Sequence, residues 1–256
     1  MVDETQGSDR IVVVTGGEGG LGSAIVRAFA SSGAHVVSAD VSVPDGPLFP
    51  ETDDRVVRCR LDVTDEESWT HVLDAVVRHF GRLDVLVNNA GIYRPNIRFE
   101  EMPLDLWRKH FAINSDGVFL GCKHAILRMK GRGTGAIVNL GSGMSITANP
   151  DGAAYSGSKA AVLMTTRTAA AAAGRYGIRV NAVLPGAVPT DMLFGNVQPG
   201  ETQEEFLARM ETYSPLRRLA TPDDIARAVL FLADPANAAI SGVYLPVDGG
   251  NMPGAR

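Results

Sequence analysis

Cysteine is scarce in this 256-residue chain, which has only Cys59 and Cys122. Both lie among apolar neighbours in segments that predict regular structure, so we expect buried free thiols rather than a disulfide. The five histidines show no metal-ligand spacing either. We therefore expect no metal site.

Basic charge and long apolar runs are also lacking. With a net charge of -5, the chain offers no basic surface, so we expect no nucleic-acid partner. No apolar run approaches the roughly 20 residues needed to cross a bilayer, and we expect no membrane association. The polar, acidic start (residues 1–10) is unlike a signal peptide, which favours a cytoplasmic location. Hydrophobic residues at 45% and charged residues at 21% are typical of a globular protein.

Short β-branched runs alternate with helical periodicity along the chain. The run Ile11 to Thr15 is followed by Leu21, Ile25 and Phe29 on one helix face. Further strands are predicted at 35–39, 56–61, 84–87, 136–140, 179–184 and 243–247, and further helices at 65–80, 104–129, 153–176 and 222–232. Residues 186–200, rich in Gly and Pro, predict a long loop. Seven strands separated by helices predict an α/β fold: a doubly wound, Rossmann-type parallel sheet with helices on both faces, in one domain spanning 1–256.

A glycine cluster, TGGEGGLG, joins the first strand to the first helix. Residues without a Cβ permit a positive φ and close approach by a pyrophosphate. The helix that begins near Leu21 points its N-terminal N–H groups at the same place. We therefore expect Gly16, Gly20, Leu21 and Gly22 to bind a dinucleotide, with a flexible turn as the alternative interpretation.

An acidic residue, Asp40, ends the second predicted strand, 24 residues beyond Gly16. A carboxylate there accepts hydrogen bonds from ribose hydroxyls and repels a 2′-phosphate. The next residues, Val41 to Val43, include no Arg or Lys, and Glu18 in the glycine loop adds negative charge. The predicted cofactor is therefore NAD rather than NADP. A solvated strand end is the alternative for Asp40.

A tyrosine and a lysine, Tyr155 and Lys159, share a face of the predicted helix 153–176. A phenol with a pKa of about 10 is a poor base at neutral pH, but an ammonium ~5 Å away lowers that pKa by roughly 2 units. Ser142, at the carboxyl edge of the sheet, is placed to hold a substrate oxygen. Asn114 interrupts a long helix in which an amide is a mediocre helix former. These four residues predict general acid/base chemistry at one site.

The chain resembles the short-chain dehydrogenase/reductase family, because it carries that family's motifs in the same order over nearly its whole length. One departure is Gly141-Ser142-Gly143, where a Ser-Ser pair is more usual; Ser145 is a weaker candidate than Ser142 for the catalytic serine. The matching residues are Thr15, Gly16, Gly20 and Gly22; Asp62 with Val63; Asn88, Asn89, Ala90 and Gly91; Asn114; Ser142; Tyr155 and Lys159; Pro185, Gly186, Val188 and Thr190; and Ser241-Gly242 with the ending VDGG.

The resemblance implies a role for each match. Tyr155 is the acid/base, Lys159 lowers its pKa and binds the nicotinamide ribose, Ser142 orients the carbonyl, and Asn114 holds a relay water. The cofactor contacts it implies lie at the glycine motif, at Asp62 and Val63 for adenine, at Asn89, Ala90 and Gly91, and at Pro185, Gly186, Val188 and Thr190. The resemblance also implies a homotetramer, in which the fourth and fifth helices of one subunit pair with those of another across a two-fold axis.

The resemblance further implies a lid over the substrate, at about residues 190–215. Its apolar residues predict an apolar substrate, such as a cyclic, aryl or steroidal secondary alcohol, unless they only anchor the segment to the core. No Arg or Lys precedes Arg209 in the lid, which disfavours an acyl-carrier or CoA substrate. The apolar residues are Met192, Leu193, Phe194, Val197, Phe206, Leu207, Met210 and Tyr213.

Three other functions remain as alternatives to an NAD(H)-dependent alcohol dehydrogenase. The first is an NADPH-dependent 3-oxoacyl reductase, which Asp40 disfavours. The second is a non-catalytic NAD-binding sensor, which should have lost part of the tetrad. The third is an epimerase or dehydratase. Such enzymes usually have a separate substrate-binding domain, and a chain of this length leaves little room for one.

Overall fold

The computed structural model describes residues 9–49 and 54–251, and within them seven strands form one sheet. The strands are β1 (Ile11–Thr15), β2 (His35–Asp40), β3 (Val56–Arg60), β4 (Val85–Asn88), β5 (Gly135–Leu140), β6 (Ile178–Pro185) and β7 (Tyr244–Val247). They are all parallel, in the order β3-β2-β1-β4-β5-β6-β7. The sheet is therefore built outwards from β1 in one direction with β2 and β3, and β4 then pairs with the opposite edge of β1. Such a reversal opens a crevice at the carboxyl ends of the strands.

Helices cover both faces of this sheet. They are α1 (Gly20–Ser31), α2 (Glu66–Phe80), α3 (Leu104–Phe111), α4 (Gly117–Met129), α5 (Ala153–Ala173), α6 (Asp191–Phe194), α7 (Gln203–Glu211) and α8 (Pro222–Ala233). Side-chain caps begin several of them: the carboxylate of Asp65 accepts from the Glu67 N–H, and Thr221 and Asp224 form a capping box at α8.

The core has two layers because side chains alternate across each buried strand. On β1, Val13 packs with residues of α2, α4 and α5 on one face. Val12 and Val14 pack with residues of α1 and α8 on the other. Strands buried on both faces need apolar residues at every position, which is why the run IVVVT is wholly buried.

The predicted fold class and the order of strands and helices are confirmed, with ends within a few residues. Three segments differ, and one of them is α7, which was not predicted as a helix. The predicted helix 104–129 is interrupted by a π-helical turn at Ala112–Asp116, and the predicted loop 186–200 contains the short helix α6. The predicted domain also takes in residues 1–8, 50–53 and 252–256, which lie outside the described residues. Among those described, no helix is both long and apolar enough to cross a membrane.

Candidate active site

The glycine loop lies at the crevice between β1 and β4 and leaves space for a phosphate group. Gly16 has a φ of +63°, a conformation that favours glycine. A Cβ added at Gly22 would lie 1.9 Å from the Gly16 carbonyl oxygen, so α1 approaches the loop more closely than any side chain permits. No side chain caps α1. Its N-terminal N–H groups thus remain for an anion, and the cradle fits a dinucleotide pyrophosphate.

The end of β4 is tied to this loop by hydrogen bonds. The Asn89 amide donates to the carbonyl oxygens of Thr15 at 2.9 Å and of Gly16 at 3.0 Å. The Thr15 hydroxyl accepts the N–H groups of Asn89 and Ala90, each at 3.0 Å. Polar side chains here brace the cofactor loop, as the sequence predicted. A Cβ at Gly91 would lie 3.4 Å from the Lys159 ammonium, so this turn also runs beside the catalytic residues.

Two carboxylates, those of Asp40 and Glu18, lie between the end of β2 and the glycine loop. Asp40 accepts hydrogen bonds from the Ser42 N–H at 2.9 Å and hydroxyl at 2.8 Å, and from the Glu18 N–H at 3.3 Å. The Glu18 carboxylate accepts from the Ser38 hydroxyl at 2.7 Å. Both acids are therefore held in fixed orientations beside the glycine loop.

The sequence analysis missed two arginines beside these acids. The register that pairs β2 with β3 places Arg58 opposite Ser38 and Arg60 opposite Asp40. Arg58 forms an ion pair with Glu18 at 3.2 Å, and Arg60 donates to the Val41 carbonyl. The sequence analysis looked for a basic residue only among those that follow Asp40 in the chain. The structure places two arginines of the neighbouring strand β3 beside these acids.

The predicted adenine contact, Asp62, follows β3 in a turn. Its carboxylate accepts from the Thr64 N–H at 2.9 Å and hydroxyl at 2.7 Å. Val63 is buried, and its carbonyl oxygen accepts from the Trp69 indole N–H at 3.0 Å. These bonds hold the turn at the same edge of the sheet as Asp40.

Ser142 and Ser145 have different partners. The Ser145 hydroxyl accepts from the Ser142 N–H at 3.0 Å and closes a capping box. The Ser142 side chain accepts from the Met144 N–H at 3.1 Å and lies close enough to the Tyr155 phenol to lower its pKa. Of the two, Ser142 is therefore the serine beside the phenol.

Tyr155 and Lys159 lie on one face of α5, with the ammonium 5.9 Å from the centre of the phenol ring. The Lys159 ammonium donates to the Leu140 carbonyl oxygen at 2.7 Å. Burial raises the pKa of Tyr155 to about 12, despite the opposing effect of Ser142, and burial lowers the pKa of Lys159 to about 8. The sequence argument gave the opposite direction for Tyr155, because it counted the Coulombic attraction and left out the desolvation of both groups.

Asn114 lies in the π-helical turn between α3 and α4, wholly buried. Its amide oxygen accepts from the Ile92 N–H at 2.9 Å, and its amide nitrogen donates to the Ile92 carbonyl and the Ser158 hydroxyl, each at 3.0 Å. The helical irregularity thus aims this side chain at the turn after β4.

The segment after β6 turns back over the glycine loop. Pro185 ends the strand, the Gly186 N–H donates to the Val247 carbonyl at 3.1 Å, and Val188 is buried. A Cβ at Gly20 would lie 2.9 Å from the Thr190 methyl group. The start of the predicted lid therefore rests on the predicted phosphate cradle.

The eight apolar residues of the predicted lid differ in exposure, and five of them are half-buried. Phe206, on α7, is 1% exposed and anchors the segment, whereas Met192 and Tyr213 are 43% and 40% exposed. Arg209 makes two hydrogen bonds to the Glu201 carboxylate, at 2.8 and 3.0 Å, and so is engaged within the lid.

Tyr93 and His110 are two site residues that sequence reasoning did not find. The rings of Tyr93 and Tyr155 lie 4.6 Å apart, and the buried His110 accepts from the Arg94 N–H at 3.3 Å. His110 lies one helical turn before Asn114, and this i, i+4 spacing on a predicted helix was the available signal.

Comparison with known proteins agrees with this geometry. The family model described as Enoyl-(Acyl carrier protein) reductase matches residues 16–251. The chain is 39% identical to cis-4-hydroxycyclohexanecarboxylate dehydrogenase of Sinomonas cyclohexanicum, over 95% of this chain and 96% of that protein. It is 36% identical to 2,5-dichloro-2,5-cyclohexadiene-1,4-diol dehydrogenase of Sphingobium indicum, over 94% and 95%.

Among solved structures, ElxO with NADP bound superposes with a TM-score of 0.84 at 31% identity, covering 95% of this chain and 98% of that one. A nicotinamide cofactor is thus held by a close structural relative, although NADP is not the cofactor predicted here. The sheet order, the glycine cradle, the Ser142–Tyr155–Lys159 arrangement and these matches place this chain in the short-chain dehydrogenase/reductase family.

Proposed function

We propose that this protein is an NAD(H)-dependent dehydrogenase that interconverts an apolar cyclic secondary alcohol and its ketone. The observation that carries the proposal is the contact of Ser142 with the Tyr155 phenol, with the Lys159 ammonium 5.9 Å from the ring centre. This group lies at the sheet edge that also holds the glycine cradle. Hydrogen-bond donors, a proton acceptor and a fixed positive charge at one point are what alcohol oxidation requires.

Each residue has a defined task in this proposal. Bound NAD+ would supply the hydride acceptor for the carbinol carbon. Tyr155 takes the hydroxyl proton of the alcohol in its phenolate form, which burial opposes and which the positive charges of Lys159 and of bound NAD+ would favour, and Ser142 donates a hydrogen bond to the same oxygen. Lys159, with a pKa of about 8, remains mostly an ammonium at neutral pH and stabilises the phenolate. In ketone reduction the proton returns by the reverse path.

The substrate class follows from the lid and from the relatives. Exposed Met192 and Tyr213 offer apolar contact, and Arg209 is engaged by Glu201, so the lid presents no free cation for a phosphate or carboxylate. Two relatives are named for ring alcohols. The relatives' names favour a ring alcohol, although one of the named alcohols also carries a carboxylate, and the lid disfavours an acyl-carrier or CoA substrate.

The proposal is tested by following the absorbance of reduced nicotinamide with purified protein. Each of NAD+ and NADP+ is offered with cyclic, aryl and steroidal secondary alcohols. Turnover with NAD+ on a ring alcohol supports the proposal. Turnover with NADP+ alone contradicts the cofactor assignment and favours a 3-oxoacyl reductase. NADH binding by calorimetry without turnover of any alcohol favours the sensor interpretation.

Replacing Asp40 by alanine is expected to lower the NAD+/NADP+ ratio of kcat/KM by about 10- to 100-fold. Loss of a charged hydrogen bond to the ribose weakens NAD+ binding by roughly 1.5–3 kcal/mol. Removal of the carboxylate also removes the negative charge that repels a 2′-phosphate, while Arg60 nearby can attract it. Asp54→Ala removes the same charge from an exposed position before β3 and is the matched control. An unchanged ratio in Asp40→Ala would contradict the ribose contact.

We also propose that the protein assembles as a homotetramer, as the family resemblance implies. Phe119 and Leu127 on α4 and Met164 on α5 are 54%, 46% and 61% exposed, which gives these neighbouring helices an apolar outer face. Light scattering is expected to report the mass of four chains. A monomer mass at micromolar concentration would refute the assembly.

A further inference from the structure

The turn after β4, residues 91–97, lies between the proposed catalytic groups and the lid. At its start, a Cβ on Gly91 would lie 3.2 Å from the Asn114 amide oxygen and 3.4 Å from the Lys159 ammonium. At its far side, a Cβ on Gly195 of the lid would lie 3.9 Å from Pro95. The 91–97 segment therefore connects the surroundings of Lys159 with the lid.

Tyr93 is fixed on both sides by side chains from the helix beneath it. Asn114 binds both the N–H and the carbonyl of Ile92, at 2.9 and 3.0 Å. His110, one turn earlier, accepts from the Arg94 N–H at 3.3 Å, and its other nitrogen pairs with the Leu106 carbonyl at 2.9 Å. The backbone at Tyr93 is thus held by two buried groups, and little conformational freedom is left to it.

The Tyr93 side chain is held as firmly as its backbone. Its ring packs against the Tyr155 ring, with centroids 4.6 Å apart and planes tilted by 44°. Its hydroxyl lies close enough to the Asn149 side chain for that amide to lower its pKa. Asn149 belongs to the turn before α5, which is itself joined to the 91–97 segment because the Ile97 N–H donates to the Asp151 carbonyl at 3.3 Å.

The tetrad chemistry does not use this second phenol. Ser142 and Lys159 already supply the partners of Tyr155, and burial raises the pKa of Tyr93, so it remains a neutral phenol at working pH. What Tyr93 offers is a rigid, flat, apolar face beside the reacting position. Such a face contributes most to ligands that match its shape.

We infer that Tyr93 is a specificity-determining residue: an aromatic wall of the substrate cleft that favours ring-shaped alcohols and ketones over open-chain ones. The inference rests on the proposed function, because it assigns the ring preference of that same cleft to one side chain. A cyclohexane ring lies against the Tyr93 face over a broad area, whereas a small open-chain ketone at the same position covers little of it.

Ketone binding without turnover tests this directly. The background is Tyr155→Phe, which retains the ring that Tyr93 packs against. Its NADH complex is titrated with cyclohexanone and with 2-butanone, and the fluorescence of the bound nicotinamide gives each Kd. Tyr93→Leu in this background is expected to weaken cyclohexanone binding about tenfold and 2-butanone binding less than twofold. Tyr93→Phe, which retains the ring, is expected to keep the preference.

The matched control is Phe231→Leu, an aromatic on α8 that is 49% exposed, and it should alter neither Kd. Equal weakening of both ketones in Tyr93→Leu would overturn the inference. So would equal affinity for the two ketones, or no ketone binding, in the Tyr155→Phe background alone, which needs no Tyr93 variant to fold. If the ring preference depends on Tyr93 but the wild-type protein oxidises no alcohol, the proposed function fails and the inference stands.

Discussion

Replacing Tyr155 by phenylalanine is expected to lower kcat at least ~1,000-fold while changing the Kd for NADH less than about twofold. The phenol oxygen is the group proposed to exchange a proton with the substrate, and general acid/base catalysis contributes factors of this size. The ring itself remains, with its contact to Tyr93 at 4.6 Å. Steady-state kinetics and calorimetry of the same preparation separate the two effects.

The matched control for this variant is Tyr176→Phe, which removes the same hydroxyl from a tyrosine packed against the core outside the site. Its kcat should equal that of the wild type. Turnover retained within tenfold in Tyr155→Phe would remove this residue from the acid/base role. An equal loss of NADH affinity would instead indicate that the phenol serves to bind the cofactor.

Replacing Lys159 by methionine is expected to stabilise the fold while lowering kcat at least ~100-fold. Burial lowers the pKa of this lysine from 10.5 to about 8, which means that the native state is destabilised by holding the ammonium out of water. A shift of this size corresponds to roughly 3 kcal/mol, and loss of the hydrogen bond to Leu140 offsets about 1 kcal/mol of it. We therefore expect the free energy of unfolding at pH 7 to rise by about 2 kcal/mol.

The pH dependence identifies the cause. Below pH 8 the ammonium is charged in both states, and its full desolvation cost weakens the wild-type fold. Between pH 8 and 10.5 the native lysine loses its proton before the unfolded one, so the wild-type fold gains stability as pH rises. The advantage of Lys159→Met should therefore shrink over that range. Denaturant unfolding at pH 7 and pH 9.5 measures this, with the exposed Lys130→Met as control. A methionine variant less stable at pH 7 would contradict it.

Features that follow from local sequence were predictable. The run IVVVT predicts a strand covered on both faces, and the glycines after it predict a turn that admits a phosphate, because each depends on residues adjacent in the chain. The four residues Asn114, Ser142, Tyr155 and Lys159 were predicted as catalytic because their spacing matched a family pattern, and the structure brings the last three together at one sheet edge.

Features that depend on neighbours in space were not predictable. Arg58 and Arg60 approach the acids at the end of β2 only through the register of β3. The pKa of Tyr155 depends on how much water the whole fold excludes from it. The contact of Tyr93 with Tyr155 joins a residue of the turn after β4 to a residue of α5, and no periodicity relates the two.

The hydrogen bonds that hold the cofactor loop have a further consequence for folding. The Asn89 amide meets the Thr15 carbonyl across 74 residues of chain, and Asn114 meets Ser158 across 44. Contacts between residues so far apart in the chain form late in folding, because the entropic cost of closing the loop between them must be overcome first. The nucleotide cradle and the proton-transfer group therefore form only as the central strands join. The dinucleotide thus has no partly folded precursor to bind, and its binding free energy stabilises the completed sheet alone.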